Sequence, residues 1–190
     1  MRLLIMGPQG VGKGTQAERL CAHYSITHIA TGDIFRDNIK NKTPLGQEAS
    51  SYINKGQLVP DEVTNRIVED RLSQNDVANG WILDGYPRNA GQVKALDAML
   101  TKIGTPLDAV VALEADRDVL LERMAKRAQI EGRSDDNSET IKARLAVYDK
   151  ETKPLLDTYD QRGLLVRING VGSIESITDA IVAALDARVK

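Results

Sequence analysis

Largely apolar runs of strand length stand at residues 2–6, 81–83, 109–113 and 164–168, with a weaker fifth run at 27–30. Between them, apolar positions recur at three- and four-residue spacing, which predicts helices over 13–24, 89–103, 116–127, 138–159 and 173–188. Gly80, Gly104 and Gly163 stand where helices should stop before the next strand, as C-terminal glycines do. Runs without internal polar alternation suit strands buried on both faces, and strands that alternate with helices build a parallel sheet through helical crossovers. The pattern predicts an α/β, doubly wound sheet flanked by helices.

Two stretches interrupt the alternation. Residues 32–73 hold no strand-like run, only short helical segments, and Thr43-Pro44 and Val59-Pro60 read as helix starts with proline at the first helical position. A body of about 30 residues therefore projects between two strands of one sheet, well beyond the two to six residues of an ordinary connection. The second interruption, residues 129–137 (QIEGRSDDN), is polar and glycine-bearing, and reads as a short mobile loop between two long helices. Neither stretch has the composition of a linker, so both are insertions within a single domain.

Composition narrows the function. Lys+Arg number 25 and Asp+Glu 27, a net charge of −2, which disfavours nucleic acid or a membrane surface as partner. Aromatic residues are 4%, too few for a base-stacking platform. The single Cys21 excludes an intrachain disulfide and reads as a small core residue. The apolar run at the N-terminus ends at Gly7, short of a signal peptide, and no stretch reaches the ~20 apolar residues of a membrane span. A monomer in a reducing, cytoplasmic compartment is expected.

Chemistry enters immediately after the first run. Gly7-Pro8-Gln9-Gly10-Val11-Gly12-Lys13-Gly14-Thr15 carries the spacing G-x-x-x-x-G-K between a predicted strand and a predicted helix. Glycines let backbone N–H groups converge on one anion, the helix adds its positive end, Lys13 adds a full charge and Thr15 a hydroxyl. The general motif places Ser or Thr directly after the lysine, as a magnesium ligand. Gly14 stands there instead, so magnesium leans on other groups and on water, with Thr15 a possible contributor.

Two further segments leave predicted strand ends, where open α/β sheets bind ligands. Thr31-Gly32-Asp33-Ile34-Phe35-Arg36 follows the second run and Asp84-Gly85-Tyr86-Pro87-Arg88 the third. An aspartate after a buried strand suits a magnesium-ordering role, and the alternative for Asp84 is a helix or turn cap. Arg123 and Arg127 share a helix face one turn apart, Arg133 lies in the polar loop and Arg144 on the helix beyond it. Each alone reads as a solvated charge. Clustered in a chain with a phosphate loop, they suit phosphoryl transfer, which needs positive charge on both sides of the moving group. His23 and His28 read as structural or surface residues.

Together GPQGVGKGTQ (7–16), TGDIFR (31–36), DGYPR (84–88) and GRSDDNSETIKAR (132–144) closely resemble the adenylate kinase family of nucleoside-monophosphate kinases, in the expected order along nearly the whole chain. The resemblance implies a five-stranded P-loop core, a monophosphate-binding (NMP) arm near 30–59 and a short lid near 126–136. It implies ATP contacts at Gly10, Val11, Gly12, Lys13, Gly14, Thr15 and Arg127, with Arg123 covering the adenine and Gly172 contacting the same base. It implies AMP contacts at Thr31, Arg36, Gln57, Leu58, Val59, Gly85, Tyr86, Pro87, Arg88, Gln92, Arg133 and Arg144. Lys13, Arg88, Arg123, Arg127, Arg133 and Arg144 would supply catalytic charge, and Asp84 would order hydrated Mg²⁺. Gln9 and Phe35 depart from residues common in the family, without removing a charged contact. Many bacterial relatives carry a longer lid, some of them with zinc-binding cysteines. This chain has none, so structural zinc is not expected.

The implied reaction is ATP + AMP ⇌ 2 ADP. Within the family the alternative is a UMP/CMP kinase, which typically carries alanine at the position of Thr31. Thr31 and Gln92 can hydrogen-bond an adenine edge, which favours AMP. Outside it, the alternative is a nucleotide-dependent switch ATPase, which would not need a second phosphate site.

Overall fold

The computed structural model describes residues 1–132 and 137–189. Five strands, β1 (Arg2–Met6), β2 (Thr27–Ala30), β3 (Trp81–Asp84), β4 (Ala109–Glu114) and β5 (Leu165–Asn169), form one parallel sheet in the order β2-β3-β1-β4-β5. Successive side chains of a strand point to opposite faces, and here both faces are apolar. Leu3, Ile5, Ile82, Val111 and Leu113 join one core, while Leu4, Met6, Trp81, Leu83 and Val110 join the other.

Helices cover both faces. α1 (Lys13–Tyr24), α6 (Arg117–Glu131), α7 (Ser138–Val147) and α9 (Ile174–Val189) pack on the first core, which Leu20, Met124, Ile141 and Ile181 complete. α4 (Asp61–Leu72), α5 (Ala90–Lys102) and α8 (Leu155–Gln161) pack on the second through Val68, Leu96 and Leu156. The connection leaving β1 thus crosses one face, and that leaving its neighbour β3 crosses the other. The gap between these two carboxyl ends is the switch point at which an open α/β sheet forms its ligand crevice.

The predicted arm is helical. α2 (Thr31–Lys40), α3 (Pro44–Ile53) and the start of α4 enclose a small core of Phe35, Ala49, Val59 and Val63, separate from the two sheet cores. Thr43 caps α3, accepting from the N–H of Gly46 at 3.0 Å, with Pro44 at the first helical position as expected. Pro60 stands one residue earlier than expected, as the N-cap of α4.

Three other expectations change. Gly80 follows no α-helix; it lies after a 3-10 turn at 75–77, where an added Cβ would sit 2.2 Å from the Met1 carbonyl. The helix expected over 138–159 is broken: α7 runs into a π-helical turn (Tyr148–Thr152), and α8 starts afresh after Pro154. Proline has no N–H to continue the ladder, and the N–H of Lys153 reaches back five residues to Tyr148 instead. The loop expected at 129–137 is shorter, because α6 continues to Glu131, Gly132 turns the chain at φ 60° and Asn137 already caps α7. Positions 133–136 fall outside the described residues, so the rest of the expected lid, Arg133 included, does too.

Candidate active site

The phosphate loop connects β1 to α1, and its shape depends on glycine. Gly10 and Gly12 adopt φ of 83° and 100°, a region side chains disfavour, and an added Cβ at Gly7 would lie 2.6 Å from the Leu113 carbonyl. Lys13 opens α1 and folds back over the loop, donating from Nζ to the carbonyls of Gly7 at 2.9 Å and Pro8 at 3.1 Å. Loss of water around this ammonium pulls its pKa down to about 8; Asp84 opposes the shift, and Arg88, Arg144 and Arg127 add to it.

β3 delivers Asp84 to the floor of the switch-point crevice, in register with Ile5 of β1. Burial alone would raise its pKa, but His28, Lys13 and Arg88 together hold the carboxyl below the usual range. His28 projects from β2 with Nε2 3.8 Å from Asp84 Oδ2, and that nitrogen is buried without a hydrogen-bond partner. Thr31 Oγ1 donates to the Asp84 carbonyl at 3.3 Å, tying the arm to the end of β3.

Beyond Asp84 the chain turns at Gly85 (φ 86°) to bring Arg88 over the crevice, where Nε donates to the Gly85 carbonyl at 2.7 Å. An added Cβ at Gly85 would approach Thr31 Oγ1 to 2.7 Å and Arg88 to 3.0 Å. The result is a cleft of about 450 Å³. Its walls include Gly10, Gly12, Lys13, Gly14, Thr15, Arg36, Leu58, Asp84, Gly85, Pro87, Arg88, Arg123, Arg127 and Arg144. A side recess lined by Thr31, Gln57, Leu58, Val59 and Gln92 shares Arg36, Gly85, Arg88 and Arg144 with it. Arginines expected from three separate motifs thus line two adjoining spaces.

Some candidates are placed differently. Val11 and Tyr86 are 1% exposed, with side chains in the two cores, so each can offer only backbone atoms. The Tyr86 hydroxyl donates to Asn65 Oδ1 at 2.7 Å. Arg36 pairs with Asp33 one turn earlier on α2. Arg123 Nη1 donates to the carbonyls of Gly170 at 2.9 Å and Val11 at 3.3 Å, which joins the phosphate loop to the β5–α9 turn. Gly172 (φ 142°) lies in that turn but outside the cleft lining, and the turn's carbonyl that Arg123 reaches is that of Gly170. Sequence reasoning missed Gly170, although its place after a strand was a signal. It also set His28 aside as structural or surface, and only the pairing of β2 with β3 reveals it as a neighbour of Asp84.

Among the described residues no cluster of three or more His, Cys, Asp or Glu converges on a point. The partly buried Asp84 carboxylate, facing phosphate-binding groups, fits a cation that keeps most of its water, which is magnesium's habit at nucleotide sites. No helix among the described residues is long and apolar enough to cross a membrane.

A phosphate loop at the switch point of a parallel sheet, with an arginine-lined recess beside it, defines a P-loop nucleotide kinase. The adenylate kinase family model matches residues 5–164, and the chain belongs to that family. It is 66% identical over 186 residues to the adenylate kinase of Bifidobacterium longum, covering 98% of this chain and all of the relative. The adenylate kinase of Micrococcus luteus is 52% identical over 184 residues (97% of this chain, 90% of the relative), and that of Thermobifida fusca 48% over 188 (99% and 100%).

Proposed function

We propose that the chain transfers the terminal phosphoryl group of ATP to AMP, giving two ADP, with the ATP phosphates on the loop of Gly10–Thr15 and AMP in the side recess under the arm. The observation that carries this reading is the wall the two spaces share: Arg36, Arg88 and Arg144 line both, so an acceptor phosphate and a donor phosphate can meet beside them.

No base is needed to activate the acceptor, because a phosphomonoester is already ionised at neutral pH. Rate comes from in-line positioning and from charge on the transferring group. Lys13 and Arg127 bear on the donor side, and Arg36 holds the acceptor phosphate. Arg88 and Arg144 face both, and by the family resemblance Arg133 would add a further charge. Arg123 covers the donor adenine, alongside the turn that bears Gly172. Thr31, the backbone of 57–59 and Gln92 receive the acceptor base. Asp84, assisted by Thr15, would hold Mg²⁺ through its water; bound there, the metal neutralises phosphate oxygens. Closure of arm and lid excludes water and limits ATP hydrolysis. On this reading the chain acts as a monomer in the cytoplasm, a reducing compartment that a single half-buried cysteine suits.

Lys13→Met tests the assignment. Turnover in a coupled ADP-formation assay should fall at least ~10²-fold, the usual cost of losing one transition-state charge contact, with helix content unchanged. Near-normal turnover would reject it.

A further inference from the structure

Gln92 is 2% exposed, and both ends of its carboxamide are held. Oε1 accepts from the backbone N–H of Arg88 at 2.7 Å, while Nε2 donates to Asp61 Oδ1 at 2.9 Å. The same Asp61 oxygen accepts from Asn89 Nδ2 at 2.8 Å, so the carboxylate is itself pinned. Gly91 leaves room for it: an added Cβ there would lie 3.0 Å from Asp61 Oδ2.

These partners are of opposite kind. A backbone N–H can only donate and an ionised carboxylate can only accept, so a flipped Gln92 would face its oxygen to the carboxylate and its amino group to the N–H. One lone pair of Oε1 and one hydrogen of Nε2 remain for a ligand. On the reading above, which this inference deepens, they face the acceptor base. We infer that Asp61, at the start of α4 and outside the lining of the recess, is a positioning residue for base selection. It locks Gln92 in the orientation that matches a base edge with a ring acceptor beside an exocyclic amino group, and rejects one with a ring N–H beside a carbonyl.

AMP and IMP separate these edges with little change in shape. The adenine edge offers N1 as acceptor and the 6-amino group as donor; the hypoxanthine edge reverses both. The experiment measures kcat/KM for AMP and for IMP, at saturating ATP, in the starting protein, Asp61→Leu and Asp61→Asn, with thermal melts and KM for ATP as controls. Asp61→Ala serves in place of leucine if that variant does not fold. Asp61→Leu should raise KM for AMP and lower the AMP:IMP selectivity ratio about tenfold, because a rotated amide can then serve either edge. KM for ATP should stay within about twofold. Asp61→Asn keeps an accepting oxygen where Asn89 and Gln92 donate, and should restore the ratio to within about threefold.

A ratio unchanged in Asp61→Leu, an equal loss with both acceptors, or an asparagine variant that behaves like leucine would overturn the inference. A starting protein that makes no ADP from ATP and AMP would instead refute the underlying reading, and the inference would fall with it.

Discussion

The backbone N–H of Arg88 donates to Oε1 of Gln92 at 2.7 Å. The group proposed to grip phosphate and the group proposed to read the base are therefore adjacent parts of one hydrogen-bonded turn. Asn89 Oδ1 closes it by accepting from the Gln92 N–H at 2.9 Å as the cap of α5. The spacing between Arg88 and Gln92 is thus set by local backbone geometry, while Asp61 on α4 holds the far end of the Gln92 carboxamide.

Gln92→Leu removes the partner of a half-buried N–H and one of two donors to Asp61. It should cost about 1–3 kcal/mol of stability, the usual penalty for stranding buried polar groups, seen as a lower urea midpoint. kcat/KM for AMP should fall roughly 10- to 100-fold, with KM for ATP little changed.

Lys13 gives a pH signature. With its pKa pulled down from 10.5 to about 8, a growing share of the nucleotide-free protein carries a neutral Lys13 as pH rises above 8. Bound phosphate favours the charged form, so ATP binding near pH 8.5 should take up protons, and affinity should weaken as pH rises further. Calorimetry in two buffers of different ionisation enthalpy reads the uptake directly, and Lys13→Met should abolish it. The linkage to folding has the opposite trend: because the folded pKa lies below the unfolded one, the cost of the buried charge diminishes as pH rises from about 8 toward 10.5.

Arg123 joins the phosphate loop to the β5–α9 turn through two carbonyls. Arg123→Met keeps the stem and removes the guanidinium. KM for ATP should rise about tenfold while KM for AMP stays within about twofold, since Arg123 is absent from the side recess. An equal rise in both would place Arg123 in the shared part of the cleft.

The phosphate loop was legible from residues 7–15 alone because strand, turn and helix are contiguous there, and glycine spacing reports directly on backbone shape. The sheet was legible because strands buried on both faces are largely apolar runs. His28 and Asp61 were not, since each acquires its role from residues 28 to 56 positions away. The break after Val147 was also hidden: apolar spacing continues through it, and Pro154 was the only local sign.

The central claim is that two nucleotide phosphates meet between the loop and the arm. It is tested most directly by incubating the protein with magnesium and ATP together with AMP, UMP, CMP or no acceptor, and resolving products by phosphorus NMR. Diphosphate formation that depends on AMP, with two ADP for each ATP consumed and negligible inorganic phosphate, is the predicted result. Phosphate release independent of any acceptor would contradict it, and diphosphate formed as readily from UMP or CMP would overturn AMP as the acceptor.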